Sequence, residues 1–242
     1  MIRIKLPLHK KIEQDLLKKI KNGTYEEGQI IPTEMELSKA YGVSRPTVRQ
    51  AVQTLVNEGY LEKRKKRGTI VKRPKIQQEF TRVVESYDSE MKRKGIIPKT
   101  KVLVFKKDFA SEEVAENLNI KEGDAVYKMM RLRYAGENPT VLVTSFIPEY
   151  LFPHLSEIDF SQHLLYQTFK EMNHPIQSVI RKLDVISADE TTSDLLDVEE
   201  GSPLFYFHTT GFTYDKVPIE YSISKYRGDL NSFVFEIAAD NI

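Results

Sequence analysis

The chain contains no cysteine, which excludes disulfides, thiolate metal sites and cysteine nucleophiles together. It also lacks long apolar runs; nothing in it approaches the ~20 residues of a membrane helix. The opening stretch, MIRIKLPLHKKIEQ, holds no apolar segment of signal-peptide length, so a soluble cytoplasmic protein without a membrane partner is expected. Signatures of catalysis are missing as well: there is no nucleotide-binding glycine-rich loop and no Gly-x-Ser-x-Gly. The five histidines, His9, His154, His163, His174 and His208, are scattered without metal-ligand spacing. No cofactor and no metal are therefore expected. What remains is 242 residues, 40% of them hydrophobic. That length accommodates two domains, and that composition supplies packed cores rather than disorder.

The net charge of +1 conceals an asymmetry. Residues 1–76 carry 18 Lys/Arg against 8 Asp/Glu, a balance of +10, while the rest carry 18 against 27, a balance of −9. Such a split points to nucleic acid or another anionic surface as partner of the first part. An uneven but solvated surface is the plainer alternative.

Local patterns give the first part a shape. Over Pro7–Lys21, Ile12, Leu16, Leu17 and Ile20 fall on one helical face. Asn22-Gly23 ends this helix, because both residues tolerate a left-handed backbone. Thr33 with Glu36 three residues on predicts a capping box, followed by a short helix with Leu37 and Ala40 inward. Tyr41-Gly42-Val43 is a tight turn. Ser44 and Pro46 then open a helix running to about Glu58, with Val48, Ala51, Val52, Leu55 and Val56 buried. Two short helices around a glycine turn form the helix-turn-helix pattern. Arg45, Thr47, Arg49 and Gln50 lie off the apolar stripe at the start of the second helix, where this motif reaches base edges in the major groove. Taken singly, each also reads as an ordinary solvated helix position. Beyond Gly59, strands Tyr60–Glu62 and Thr69–Val71 flank the basic hairpin Lys63-Arg64-Lys65-Lys66-Arg67-Gly68, a wing suited to phosphate or the minor groove.

These residues carry a family resemblance. Ile31-Pro32-Thr33-Glu34, Leu37, Tyr41 to Ala51, Leu55, Glu58-Gly59 and Gly68-Thr69-Ile70-Val71 resemble the GntR family of bacterial repressors over the whole winged-helix domain. The resemblance implies a double-stranded operator DNA partner. It assigns DNA contacts to Thr33, Ser44, Arg45, Thr47, Arg49, Gln50 and, on the wing, Lys65, Lys66, Arg67, Gly68 and Thr69. Met35 departs from the pattern, since many members have arginine there, so a contact made at that position in relatives is absent.

Lys72 to Gln78 has no apolar periodicity and contains Pro74, so the boundaries read as 1–73 for the winged helix, 74–80 for a linker and 81–242 for a second domain. In the second domain, strand candidates are 101–107, 125–134, 140–147, 178–187, 204–214 and 219–226. Helix candidates are 87–94, 112–118, 164–172 and 190–196. This mixture predicts an α+β domain with an antiparallel sheet. A weak repeat runs through it: Ser111-Glu112 … Leu118, Ile120, Glu122-Gly123, Val126-Tyr127 recurs as Asp189-Glu190 … Leu196, Val198, Glu200-Gly201, Leu204-Phe205, every pair 78 positions apart. Two similar halves around one sheet, with a ligand cleft between them, are expected. Convergence on a common helix-turn-strand unit is the alternative.

Arg131-Leu132-Arg133-Tyr134, Ile147-Pro148, Leu165-Tyr166, Glu200 to Leu204 and Glu220-Tyr221 … Tyr226-Arg227-Gly228-Asp229 resemble the UTRA effector domain, which pairs with the GntR reader in the HutC-like subfamily. This resemblance implies a chorismate-lyase-like fold, a homodimer, and sugar phosphates or other small metabolites as effectors. It carries the effector contacts onto Ser86, Tyr87, Asp88, Arg131, Arg133, Tyr166, Glu220 and Tyr226, with Val143 at a further pocket position. Independently, Arg131 and Arg133 are two apart on a strand and share a face, which suits an anion. Pairing with acidic side chains of this acidic domain is the alternative. Two departures stand out: Asp88 replaces a hydroxyl residue common in phosphate-binding relatives, and Val143 replaces a glutamate of amino-sugar binders.

Two other functions compete with a metabolite-controlled regulator. A metabolite-converting enzyme of lyase-like fold fused to a nucleic-acid-binding domain would turn its ligand over, whereas a sensor returns it unchanged. A non-specific architectural or RNA-binding winged helix is disfavoured by the large acidic second domain, which would add only repulsion.

Overall fold

The computed structural model of the chain describes residues 7–65, 67–72, 75–78 and 85–235. The chain divides into two compact units, Met1–Ile76 and Gln77–Ile242.

In the first unit, α1 (Leu8–Lys21), α2 (Glu34–Tyr41) and α3 (Arg45–Asn57) are followed by the hairpin β1 (Leu61–Arg64) and β2 (Gly68–Val71). Ile12, Leu16 and Ile20 of α1 meet Leu37 of α2, Val48, Ala51, Val52 and Leu55 of α3, and Leu61 and Val71 of the hairpin in one apolar cluster. Leu17 and Val56 pack on it half-buried. Ala40, expected inward, is exposed; the inward ridge of this short helix is Leu37 with Tyr41, one turn apart. The capping box forms as the spacing implies: Glu36 N–H donates to Thr33 Oγ1 at 3.3 Å, and Thr33 N–H donates to Glu36 Oε2 at 2.8 Å. At the end of α1 only Gly23 takes positive φ, at 78°; Asn22 does not. The wing has a third line of chain. Ile31 N–H donates to the Thr69 carbonyl and Val71 N–H to the Gln29 carbonyl, each at 2.9 Å, along a stretch whose sequence reads as loop.

In the second unit come β3 (Ile76–Gln78, straddling the boundary), α4 (Tyr87–Arg93), β4 (Pro98–Phe109), α5 (Glu112–Leu118), β5 (Ala125–Ala135), β6 (Asn138–Pro148), α6 (Leu165–Glu171), β7 (Ser178–Ser187), α7 (Glu190–Leu196), β8 (Pro203–Phe212), β9 (Pro218–Arg227) and β10 (Asn231–Phe233). Six strands form one antiparallel sheet in the order β4-β5-β6-β9-β8-β7. That order reads the same from either edge once β4, β5, β6 are matched with β7, β8, β9, so the two halves meet at β6 and β9. The repeat is reproduced down to its hydrogen bonds. Ser111 and Asp189 cap α5 and α7, and Asn119 and Asp197 end them at φ 52° and 53°. Gly123 N–H donates to the Ala110 carbonyl and Gly201 N–H to the Ala188 carbonyl, both at 2.8 Å.

The sheet's two faces differ. Alternation along β5 sends Val126 to the cluster around α5 and Leu132 to that around α7, while Tyr127 and Met129 join the cluster around α6. Arg131 and Arg133 continue that second alignment. Of the expected linker, residues 76–78 are a strand paired with β10, where Gln78 Nε2 donates to Asn231 Oδ1 at 2.7 Å in a buried contact. A three-residue strand is too short to show a period in sequence. Pro74 lies outside the described residues.

Candidate functional site

On the first unit, Arg45, Arg49 and Gln50 are exposed at the start of α3, off its buried stripe. Thr47 is half-buried, and its hydroxyl shares a 2.8 Å hydrogen bond with Ser44 Oγ. Ser44 occupies the N-cap position, but its side chain makes no cap bond to the backbone because Thr47 engages it. The Thr33 hydroxyl is likewise occupied, within its capping box. Lys65, Arg67 and Gly68 stand exposed at the hairpin end, and Thr69 is half-buried in β2. Lys66 lies outside the described residues. Gly68 has φ +98°, and a Cβ there would meet Ile30 Cγ2 at 3.0 Å, so this wing position requires glycine. The sequence places Lys63 in the basic wing and Glu34 in the family pattern but gives neither a contact of its own. Glu34 accepts from Arg49 Nε and from Lys63 Nζ, each at 3.1 Å. Burial alone would raise the Glu34 carboxyl pKa, but these two hydrogen bonds outweigh it and hold the group below the ordinary carboxylate range.

On the second unit, a cavity of about 540 Å³ opens on the α6 face of the sheet. All the expected effector residues line it. Ser86, Tyr87 and Asp88 come from the start of α4, Arg131 and Arg133 from β5, Tyr166 from α6, and Glu220 and Tyr226 from β9. Val143 of β6 supplies an apolar wall. Arg181 of β7 and Thr209 of β8 bring the second half of the sheet into the lining. The cavity therefore lies across the face shared by the two halves. Two missed residues, Ser222 and Ser224, carry a readable signal: with the expected Glu220 and Tyr226 they alternate along β9, and all four line the cavity. An inward strand face that stays polar needs something polar to contact.

Charges here are buried and partly balanced. Arg131 Nη2 donates to Ser145 Oγ at 2.7 Å, Ser145 donates to Glu220 Oε1 at 2.7 Å, and Arg131 lies 3.8 Å from Glu220. Arg131 thus lines the cavity and also has an acidic partner, the pairing that the alternative reading expects. Burial, joined by neighbouring Arg133, pulls the Arg131 guanidinium down to about 10, against the pull of Glu220. It stays charged at neutral pH. Burial, then the Glu220 carboxylate, pushes the Tyr166 phenol up, and burial pushes Tyr226 up to about 12. Both phenols keep their protons as hydrogen-bond donors. Arg133 stacks over the Tyr87 ring at 5.2 Å. Among the described residues, seven buried side-chain polar atoms lack a partner, and five of them belong to this lining: Tyr87 Oη, Thr100 Oγ1, Arg131 Nε, Arg133 Nε and Glu220 Oε2. Such atoms are rare in folded proteins and costly to leave unmet. Beneath α4, Glu90 is almost fully buried and pairs with Lys94 at 2.6 Å; Lys94 also donates to the Gln77 carbonyl in β3. The described residues contain no cluster of His, Asp and Glu able to hold a metal and no helix long and apolar enough to cross a membrane.

A winged helix-turn-helix with basic exposed side chains, carried with a unit that encloses a polar cavity, defines a DNA-binding transcription regulator with a small-molecule sensor. Residues 8–71 match the model of bacterial regulatory proteins of the gntR family, and residues 93–230 match the UTRA domain. The chain belongs to the GntR family, in its HutC-like branch, and is a regulator rather than an enzyme. It is 31% identical to the HTH-type transcriptional repressor NagR of Bacillus subtilis over 95% of this chain and 94% of that protein. To the probable fructoselysine utilization operon transcriptional repressor of Escherichia coli K12 it is 31% identical, over 89% of this chain and 88% of that one. The crystal structure of PhnF from Mycobacterium smegmatis shares the architecture, with TM-score 0.77 and 26% identity over 95% of this chain and 100% of that one.

Proposed function

We propose that the protein is a cytoplasmic homodimeric repressor that grips two half-sites of a near-palindromic operator and is released when a small anionic metabolite, a phosphorylated sugar, fills the sensor cavity. The observation that carries the ligand half is the set of five unpartnered buried polar atoms around one cavity. Four are N–H or O–H groups, two of them on guanidinium cations, and one is a carboxylate oxygen, a pattern that suits an anion bearing hydroxyl groups. Arg133 and Arg131 hold the anion. Glu220 balances Arg131 and uses its remaining oxygen to accept a ligand hydroxyl. Tyr87, Tyr166 and Tyr226 donate to the rest, Ser86 closes the α4 end, and Asp88 accepts a hydroxyl or amine. Relatives named for fructoselysine utilization and for mannosyl-D-glycerate transport support a sugar-derived effector.

For the DNA half, Arg45, Arg49, Thr47 and Gln50 read base edges. Thr33 and Ser44 flank them, and Lys65, Lys66, Arg67, Gly68 and Thr69 of the wing follow the backbone. One reader buries too little surface for tight specificity, which is why two are needed. The linker around Pro74 passes the sensor's change to the readers, and a ligand that reorients them prevents simultaneous docking on half-sites of fixed spacing.

The test is a titration of hexose phosphates and their unphosphorylated counterparts against the protein–operator complex. The Arg133→Ala variant is the sharper probe, because Arg131→Ala would strand Glu220 in the interior. Wild type should be released by a phosphorylated sugar and Arg133→Ala should not. Equal release of both proteins by neutral sugars would refute the anion site.

A further inference from the structure

Glu34 is a carboxylate on the surface that faces a polyanion, where its charge opposes binding. Its placement accounts for that cost. Glu34 is the first residue of α2, and the Thr33–Glu36 capping box fixes the backbone there. From this position one oxygen takes Arg49 of α3 and the other takes Lys63 of β1, spanning 15 and 29 residues of sequence. The carboxylate side chain is 21% exposed, against 62% for Arg49 and 40% for Lys63, so the anion is the anchored partner and the cations lean on it. Glu34 meets Arg49 through Nε alone, which leaves the two terminal nitrogens for a two-pronged contact with a guanine edge.

We propose that Glu34 is a positioning residue for sequence discrimination. It aims Arg49 at the base edges and ties the wing to the recognition helix. Where no guanine meets Arg49, the carboxylate's repulsion of phosphate is left uncompensated, so non-matching DNA is penalised. This rests on the reading of Arg49 as a base reader, and the experiment separates the two.

The probes are a duplex selected by the wild-type protein from a random library and a shuffled duplex of the same composition. Binding of the full-length chain is measured by fluorescence anisotropy over a salt series, with thermal melting as a fold control. Glu34→Gln should bind shuffled DNA more tightly and lower the selected-to-shuffled affinity ratio by about tenfold, the scale of one lost bidentate base contact. Its salt slope on shuffled DNA should steepen by about one, because a freed Lys63 gains a phosphate; loss of packing alone would not do this. In an Arg49→Ala background, Glu34→Gln should leave the ratio unchanged. A wild-type ratio and slope in Glu34→Gln, with discrimination lost in Arg49→Ala, overturns the role of Glu34 alone. A wild-type ratio in Arg49→Ala removes the base-reader assignment and this proposal with it.

Discussion

The two units treat charge in opposite ways. In the reader, the buried cluster is apolar and the basic side chains stand in water, with Arg49 62% exposed. In the sensor, two charged residues, Arg131 and Glu220, are 6% and 2% exposed, beside polar atoms with no partner. The difference follows from the ligands. DNA is a large polyanion that already carries counterions, so its partner gains most from solvated cations that release those ions on contact. A small metabolite offers few atoms, so its site must be dry and preorganised for each contact to count. The reader surface therefore costs the free protein little, whereas the sensor gathers buried charge and polar atoms around one ligand-sized space.

Salt should break this comparison open most widely. If the two wings together make 6–10 phosphate contacts, operator affinity should fall by roughly 10³–10⁵ between 50 and 200 mM salt. Effector affinity, measured calorimetrically over the same range, should change far less, because buried charges are weakly screened. The next largest effect is on stability. Arg131→Ala should destabilise the sensor by about 3 kcal/mol in chemical denaturation, since it leaves Glu220 without its cation, whereas Arg45→Ala should leave the reader's unfolding unchanged. On operator DNA the order reverses. Arg45→Ala and Arg49→Ala should each cost about 1–3 kcal/mol and relax base preference.

A finer test concerns coupling. Lys94 joins Glu90 under the cavity to the Gln77 carbonyl at the entrance of the sensor. Lys94→Met should shrink the mutual antagonism of ligand and operator, which is typically about 1–3 kcal/mol, as read from effector titrations with and without DNA. It should also lower the sensor's stability, because it leaves the buried Glu90 without this cation. The smallest effect is on acid stability. Glu34 has a folded pKa below its ordinary value, so its carboxylate favours the folded reader above the ordinary carboxylate range. That contribution is lost as pH falls through the folded value. Melting of the reader should decline there, and Glu34→Gln should blunt the decline.

Most elements of this protein are written locally. The capping box at Thr33, the turn at Gly42, the stripe from Val48 to Leu55 and the repeat linking Ser111 to Asp189 each depend on neighbours within a turn or two, so their spacing alone determines them. The same holds for Arg131 and Arg133 sharing a face, since strand alternation is a backbone property. What tertiary structure decided is which distant groups meet. Ser145 between Arg131 and Glu220, Arg181 arriving from β7, Glu34 clasping Arg49 and Lys63, and Gln78 bonded to Asn231 all join residues far apart in the chain. No periodicity encodes such pairs. They exist because an antiparallel sheet closes β6 on β9 and a hairpin folds back on a helix, and only then do buried charges find, or fail to find, their partners.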